Sequence, residues 1–338
     1  MAITYISPRK LKTYYIDPSC DAKFDNKFDS FVREAMDYAS RAVNRLTSDS
    51  DSDFARVYET LFKIPKSDTQ RFNWSNNFRL MNPHSASVQM TAYEHVVGVL
   101  RDFATNWRKT HNHWEADVRF HCDAETRFHF LFLHSSNSFN SFDPPNFIFN
   151  TGSFPTNVTR QAFTSYKLSI EGANGEVRRR FGLTGIRGDS NVQNPAIVVI
   201  DLCQETWEAF SDSTRANNDS ASSDLLEYRG KVDDVSKWSI PRIIFHEMMH
   251  CRYYGLDMDD TFDIAEGSAT STSGWESCMN VPRGPSCVDA ERYALLGFMA
   301  RLADLRPEGE ERGGYTLSRT DEGERVKGVV RFYEDVTR

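Results

Sequence analysis

The sequence predicts an α+β fold in which helices dominate and a small β-sheet lies among them. Apolar residues recur at helical spacing in several long segments, whereas shorter segments alternate apolar and polar residues with a period of two. A hydrophobic fraction of 39% with 13% aromatic residues can supply a large, aromatic-rich core. The 338 residues contain no convincing linker or internal repeat, so we expect a single domain.

The individual elements follow from these two periodicities. Helices are predicted over residues 25–46, 54–62, 91–107 and 239–250. Strands are predicted over residues 117–122, 127–134 and 196–202. The Asn-, Ser-, Phe- and Pro-rich residues 135–156 and the Ser-, Asp- and Asn-rich residues 211–224 are expected to be loops.

Charge and hydropathy restrict the partners and the location of the protein. A net charge of −8 and an isoelectric point near 5.6 argue against binding nucleic acid or an anionic membrane surface. The sequence contains no apolar run of the ~20 residues that span a bilayer. The N-terminus lacks the apolar stretch of a secretory signal, which favours a cytoplasmic location unless the chain is a mature, secreted form.

Six cysteines allow up to three disulfide bonds without requiring any. Cys278 and Cys287 flank a Pro- and Gly-bearing loop, and they are the pair that we expect to bridge most readily. The pattern fits an intracellular enzyme as well as a secreted one.

The most informative motif is His246-Glu-Met-Met-His250 on the predicted helix that Ser239 enters. Residues four apart share one helix face, so both imidazoles can bind one Zn²⁺ at ~2.0–2.1 Å. Glu247 follows the first ligand and can take a proton from a zinc-activated water that attacks a carbonyl. We therefore predict a zinc centre at which Glu247 is the general acid/base.

The third zinc ligand is less evident from spacing. A thermolysin-like Glu would fall on Glu266, which is slightly too close, or on Glu276. The third His of metzincins is absent, because Leu256 stands at its position and no His follows His250. The remaining option for the third zinc ligand is an Asp shortly downstream of His250.

The segment Asp260-Thr-Phe-Asp-Ile-Ala-Glu-Gly267 is similar to the GTxDxxYG motif of the aspzincin metallopeptidases, which include deuterolysins and fungal peptidyl-Lys metalloendopeptidases. The stretch from Asp289 to Tyr293 resembles the Asn-Ala-Asp-x-Tyr sequence of the same family. The resemblance implies that Asp263 is the third zinc ligand. It also implies a single zincin-like catalytic domain over residues 1–338, with its metal-binding core at about 239–305 and a polar C-terminal extension at 307–338.

Two residues depart from the family motif. Asp260 replaces the first Gly, and Glu266 replaces a Tyr that in the family donates a hydrogen bond to the tetrahedral oxyanion. Tyr293, Tyr253 or Tyr254 could supply that hydrogen bond instead. Glu266 could alternatively serve as a proton shuttle or a fourth ligand.

Three functions follow from these residues. The first is a zinc-dependent hydrolase, similar to a metalloendopeptidase, that cleaves peptide bonds. The second is a zinc enzyme of the same fold that acts on a small molecule in specialised metabolism. The third is a non-catalytic zinc-binding interaction protein, against which Glu247 argues because a structural zinc site does not need this carboxylate.

Overall fold

The computed structural model describes fourteen stretches of the chain, one of which contains the predicted zinc helix. The described residues are 12–73, 89–105, 107–112, 116–123, 162–171, 177–183, 198–202, 206, 229–237, 239–249, 274–280, 287, 289–307 and 309–336.

Three sheets are formed by the described strands. The strands are β1 Lys12–Ile16, β2 Arg71–Asn73, β3 Gln89–Thr91, β4 Trp107–Lys109, β5 Val118–His121, β6 Ala162–Glu171, β7 Val177–Leu183, β8 Val198–Leu202, β9 Arg229–Lys231, β10 Gly314–Leu317 and β11 Val329–Tyr333. The largest sheet has the order β4-β1-β5-β8-β6-β7. Its first four strands are mutually parallel, and β6 is antiparallel to both β8 and β7.

Two helices and one strand pack against the predicted metal helix. The described helices are α1 Pro18–Lys23, α2 Phe28–Thr47, α3 Ser52–Phe62, α4 Ala92–Phe103, α5 Val232–Ser236, α6 Ile240–Met249, α7 Trp275–Asn280, α8 Ala290–Leu302 and α9 Glu322–Val326. Helix α6 packs against α2, α8 and strand β6. The mixture of helices and sheets confirms the α+β class.

Two of the predicted helices, α3 and α4, begin at residues whose side chains cap them. At α3, the Asp51 carboxylate accepts a hydrogen bond from the backbone N–H of Phe54 at 2.9 Å. At α4, Thr91 and Glu94 form a reciprocal capping box. Apolar stripes then bury one face of each helix, so the observed bounds lie within a few residues of the predicted ones, except at the end of α4.

The core is aromatic, as the composition predicts. Phe24, Phe28 and Phe120 are fully buried, and the ring centroids of Phe24 and Phe120 lie 5.3 Å and 5.5 Å from that of Phe28. These contacts join α1 and α2 to strand β5 and hold the helical layer against the sheet.

The disulfide lies elsewhere than the sequence suggested. Strands β1 and β5 are parallel neighbours, so the segments that follow them meet, and Cys20 bonds to Cys122 with 4.8 Å between their Cα atoms. The prediction of a Cys278–Cys287 disulfide is wrong. Both residues are buried thiols, and the Cys278 Sγ lies 3.9 Å from a carboxylate oxygen of Asp289.

The predicted polar C-terminal extension contributes a sheet to the folded body. Strands β10 and β11 pair with each other, and β11 also pairs with β9, in an antiparallel sheet of order β10-β11-β9. Tyr315, Leu317 and Val330 in this sheet are fully buried. Arg319 joins the sheet to α3 through hydrogen bonds to Asp53. The segment is therefore part of the core, despite its charged composition.

Gly297 allows α8 to approach α6 and α2 closely. A Cβ at this position would lie 2.5 Å from Phe245 Cε1 and 2.9 Å from Tyr38 Cβ. We expect Gly297→Ala to lower the free energy of unfolding by about 1–3 kcal/mol, because neither neighbour can move without disturbing the core. Urea denaturation measures the change. Gly323→Ala on α9, where the nearest atom is an Asp321 carboxylate oxygen at 3.2 Å, is the matched control. Equal stability of the two variants would contradict the prediction.

Among the helices that the structure describes, none is both long and apolar enough to cross a membrane.

Candidate metal centre

Helix α6 carries the first half of the predicted zinc motif. Pro241 lies in its first turn, and the Ser239 hydroxyl accepts a hydrogen bond from the backbone N–H of Arg242 at 3.4 Å. Five apolar residues bury the helix against its neighbours: Ile243, Ile244, Phe245, Met248 and Met249. His246 keeps 24% of its side chain exposed, and Glu247 is 7% exposed. The core therefore fixes the helix and leaves the His246 ring partly open to solvent.

The His246 ring is held by a carboxylate that the sequence analysis did not assign to the site. Its Nδ1 lies 2.7 Å from Oε2 of Glu291, which comes from α8. Two bare acceptor atoms do not approach so closely, so the proton of a neutral ring lies on Nδ1. This arrangement leaves the Nε2 lone pair available as a donor to a metal ion.

Glu291 is a buried carboxylate with three polar neighbours. Its Oε1 accepts hydrogen bonds from Arg242 Nη1 at 2.5 Å and from the backbone N–H of Gly274 at 2.7 Å, while Oε2 contacts His246. Burial raises the pKa of Glu291, but the Arg242 charge and the His246 hydrogen bond outweigh it and lower the pKa to about 2. Glu291 is therefore ionised at neutral pH.

The pKa of His246 is also shifted. Burial lowers it, and the hydrogen bond and negative charge of Glu291 raise it, with Glu247 adding to the rise. The net direction is upward. The carboxylate thus increases the basicity of the imidazole, as it does for metal-binding histidines in general.

Gly274 and Trp275, at the start of α7, are held by contacts with Asp233 and with the C-terminal segment. Gly274 has φ +90, and a Cβ there would lie 2.8 Å from an oxygen of Asp233, so glycine suits this position. Asp233 accepts a hydrogen bond from the backbone N–H of Trp275 at 2.5 Å. The Trp275 indole N–H lies 3.1 Å and 3.2 Å from the carbonyl oxygens of Arg325 and Val326, next to the C-terminal sheet. The C-terminal segment therefore contacts the start of α7, next to the Gly274 N–H that donates to Glu291.

Tyr293 is the one predicted oxyanion donor that the structure describes. It is fully buried, and its hydroxyl donates a hydrogen bond to the carbonyl oxygen of Cys287 at 2.8 Å. Its ring packs edge-on against Phe62. These contacts support the fold, and a catalytic role for Tyr293 stays a prediction.

The surroundings of Cys278 disfavour its thiolate. Burial, and then the neighbouring Asp289 carboxylate, raise the pKa of its thiol well above the usual value. A buried protonated thiol is a poor nucleophile at neutral pH.

His250, Asp263 and Glu266 lie outside the described residues, as do Tyr253 and Tyr254. Within the part of the chain that the structure does describe, no three His, Cys, Asp or Glu side chains are arranged to hold a metal ion. The described part of the site therefore includes His246, Glu247 and Glu291, the carboxylate that contacts His246.

The sequence offered one signal for Glu291, which is an acidic residue near the start of a segment, residues 290–302, that is mostly apolar. In the structure α8 is buried on all its faces, and Glu291 is 1% exposed. A carboxylate in a helix of that kind requires a charged or hydrogen-bonding partner. Arg242 and His246, four residues apart on α6, are such partners.

The chain matches no known family model, no curated protein and no solved structure.

Proposed function

We propose that the protein is a zinc-dependent hydrolase, with zinc held by His246, His250 and Asp263 and with Glu247 as the general acid/base. The observation that carries the proposal is the 2.7 Å contact between His246 Nδ1 and Glu291 Oε2. Carboxylate–histidine–zinc arrangements of this kind are a recurring feature of metal centres. The carboxylate in this contact is 1% exposed and is also paired with Arg242 at 2.5 Å.

His246, the one proposed ligand that the structure describes, is a donor of the kind that zinc prefers. With Nδ1 2.7 Å from Glu291 Oε2, the neutral His246 ring offers Nε2, and neutral imidazole nitrogen is a preferred zinc donor. His250 and Asp263 would complete a set of two nitrogens and a carboxylate, leaving a fourth position for water or substrate. A bound zinc ion supplies Lewis-acid activation of a water molecule and of the substrate carbonyl.

Glu247 has the position in the chain that acid/base chemistry needs. It follows His246 directly on α6, and burial to 7% exposure restricts its side chain. We infer that its carboxylate accepts the proton of the attacking water and passes it to the leaving group. Arg242 and Glu291 bind no substrate in this scheme and serve His246 instead.

The substrate class that we propose is a peptide bond. A small-molecule substrate is the second candidate, and one observation favours it. The family motif's oxyanion Tyr is replaced by Glu266, and the hydroxyl of Tyr293 already donates to Cys287. Loss of one oxyanion donor costs ~2.7–4 kcal/mol of transition-state stabilisation in other hydrolases, so peptide cleavage would need another donor.

Metal analysis tests the zinc centre. We expect about one zinc per purified chain. His246→Ala should lose most of the metal while the chain remains folded by circular dichroism. His95→Gln on α4 replaces another buried histidine and serves as the matched control, which should keep its zinc. A wild-type protein that binds no zinc, or a His246→Ala variant that binds it normally, would refute the proposal.

Proteolysis is tested separately with denatured casein and Lys-containing peptides. Cleavage by the zinc-loaded wild type, abolished by removal of the metal, supports a peptidase. Full zinc occupancy without any cleavage would count against the peptidase and would leave the small-molecule enzyme and the non-catalytic zinc-binding protein.

A further inference from the structure

We propose that Arg242 is a positioning residue of the metal centre, which fixes the orientation of the His246 ring through Glu291. The inference rests on the proposed zinc-binding function and adds a residue that the zinc motif itself does not include.

The two oxygens of Glu291 have separate partners. Oε1 accepts both the Arg242 guanidinium and the Gly274 N–H, and Oε2 contacts His246 Nδ1. Rotation of the carboxylate would break the two bonds at Oε1 together. Because Arg242 and Gly274 come from different elements, Oε2 is held at one place relative to the His246 ring.

The guanidinium of Arg242 is fixed by hydrogen bonds at two of its nitrogen atoms. Its Nε donates to the carbonyl oxygen of Ser236 at 3.0 Å, while Nη1 donates to Glu291. Its side chain is 6% exposed and that of Glu291 is 1% exposed, so water does not compete for these bonds. A planar guanidinium can make both bonds at once, whereas a Lys ammonium on a flexible stem cannot reproduce this fork.

The sequence spacing couples Arg242 to the ligand. Arg242 and His246 are four residues apart on α6 and therefore share one face of the helix. Glu291 contacts both side chains from α8. The three residues form a triangle in which Arg242 and Glu291 are buried, and its geometry is set by the packing of α6 on α8. The ring that offers Nε2 is thereby held in one orientation before any metal binds.

The test compares two buried arginines. Arg242→Lys is expected to weaken zinc affinity by about 10- to 100-fold, the range found when the outer partners of metal ligands are replaced. Arg45→Lys is the matched control. Arg45 is also 6% exposed and bonds to Asp51 at 2.8 Å and to Asp304, and none of these residues contacts His246 or Glu291 in the structure. Both variants should lose stability, but Arg45→Lys should bind zinc like the wild type.

A double-mutant cycle tests whether Arg242 acts through Glu291. Zinc affinity is measured by competition with a chelator for the wild type, Arg242→Lys, Glu291→Gln and the double variant. In the Glu291→Gln background, Arg242→Lys should change the affinity less than about twofold, because the group through which it acts is already altered. Independent, additive losses would overturn the inference.

A measurement on the wild type covers the case in which Arg242→Lys does not fold. The Arg242 Nε–H and His246 Nδ1–H signals, observed by nitrogen-15 NMR, should both be protected from exchange without metal and shift when zinc is added. Signals that do not respond to bound zinc would overturn the inference. An Arg242→Lys variant with wild-type zinc affinity, or equal affinity losses in both arginine variants, would do the same. A wild type that binds no zinc would instead refute the proposed function, so the two failures are distinguishable.

Discussion

Glu247→Gln is expected to lower kcat by ~10²- to 10⁴-fold while zinc content stays at the wild-type level. The amide keeps the size of the side chain and cannot accept a proton. Because Glu247 is not proposed as a zinc ligand, the metal should remain bound. The measurement is the rate of peptide cleavage at saturating substrate, together with zinc per chain.

Glu322→Gln provides the matched control for Glu247→Gln. Glu322 is an exposed residue in the first turn of α9, so the same chemical change occurs at the surface. We expect its rate and zinc content to equal those of the wild type. A Glu247→Gln protein that keeps full activity would exclude the acid/base role, and one that loses its zinc would point to Glu247 as a ligand.

Removal of the Cys20–Cys122 disulfide is expected to lower the free energy of unfolding by about 4–5 kcal/mol. The bond joins residues 102 positions apart, so it restricts a long loop of the unfolded chain. It also links the segments after β1 and β5, which pack with Phe24 and Phe28 in the aromatic core. The test is urea denaturation of the Cys20→Ala/Cys122→Ala double variant.

Cys278→Ala is the control for the disulfide variant. It removes a buried thiol outside the disulfide and should cost about 1 kcal/mol. The wild type under reducing conditions should unfold like the double variant. A double variant within about 1 kcal/mol of the wild type would show that the bond contributes little to stability.

The disulfide also bears on location. Disulfides persist in oxidising compartments and are rare in the cytosol. We therefore propose that the chain works in an oxidising compartment, in contrast to the cytoplasmic location that its N-terminal composition favoured. Free-thiol titration of protein purified from its natural source would test this, with four thiols expected if the Cys20–Cys122 bond is the one disulfide formed.

The helices could be predicted because their signal is local. The α2 stripe of Phe28, Phe31 and Ala35 repeats at helical spacing, and the observed helix, Phe28–Thr47, is close to the predicted 25–46. Sheet pairing depends on contacts between distant segments. Strand β1 is five residues long and pairs with β5 about a hundred residues away, so neither its strand character nor the disulfide beside it was evident.

The site was also predictable only where its residues are close together in the sequence. His246 and Glu247 belong to one short motif, and the structure places both on α6. Glu291 lies on another helix, and its contact with His246 depends on how α8 packs against α6. The composition of the C-terminal segment was also misleading, because Arg319 and the residues of α9 surround short strands with buried Tyr315 and Leu317.

The contact between Trp275 and the carbonyl oxygens of Arg325 and Val326 has a consequence for biosynthesis. Chains fold from the N-terminus as they are made, at roughly 5–20 residues per second. Arg325 and Val326 follow Trp275 by 50 and 51 residues in the chain, so they leave the ribosome after Trp275 and after Glu291. The start of α7 beside Gly274 therefore gains these two hydrogen bonds only after Val326 has emerged, and we expect metal loading to follow synthesis of this segment.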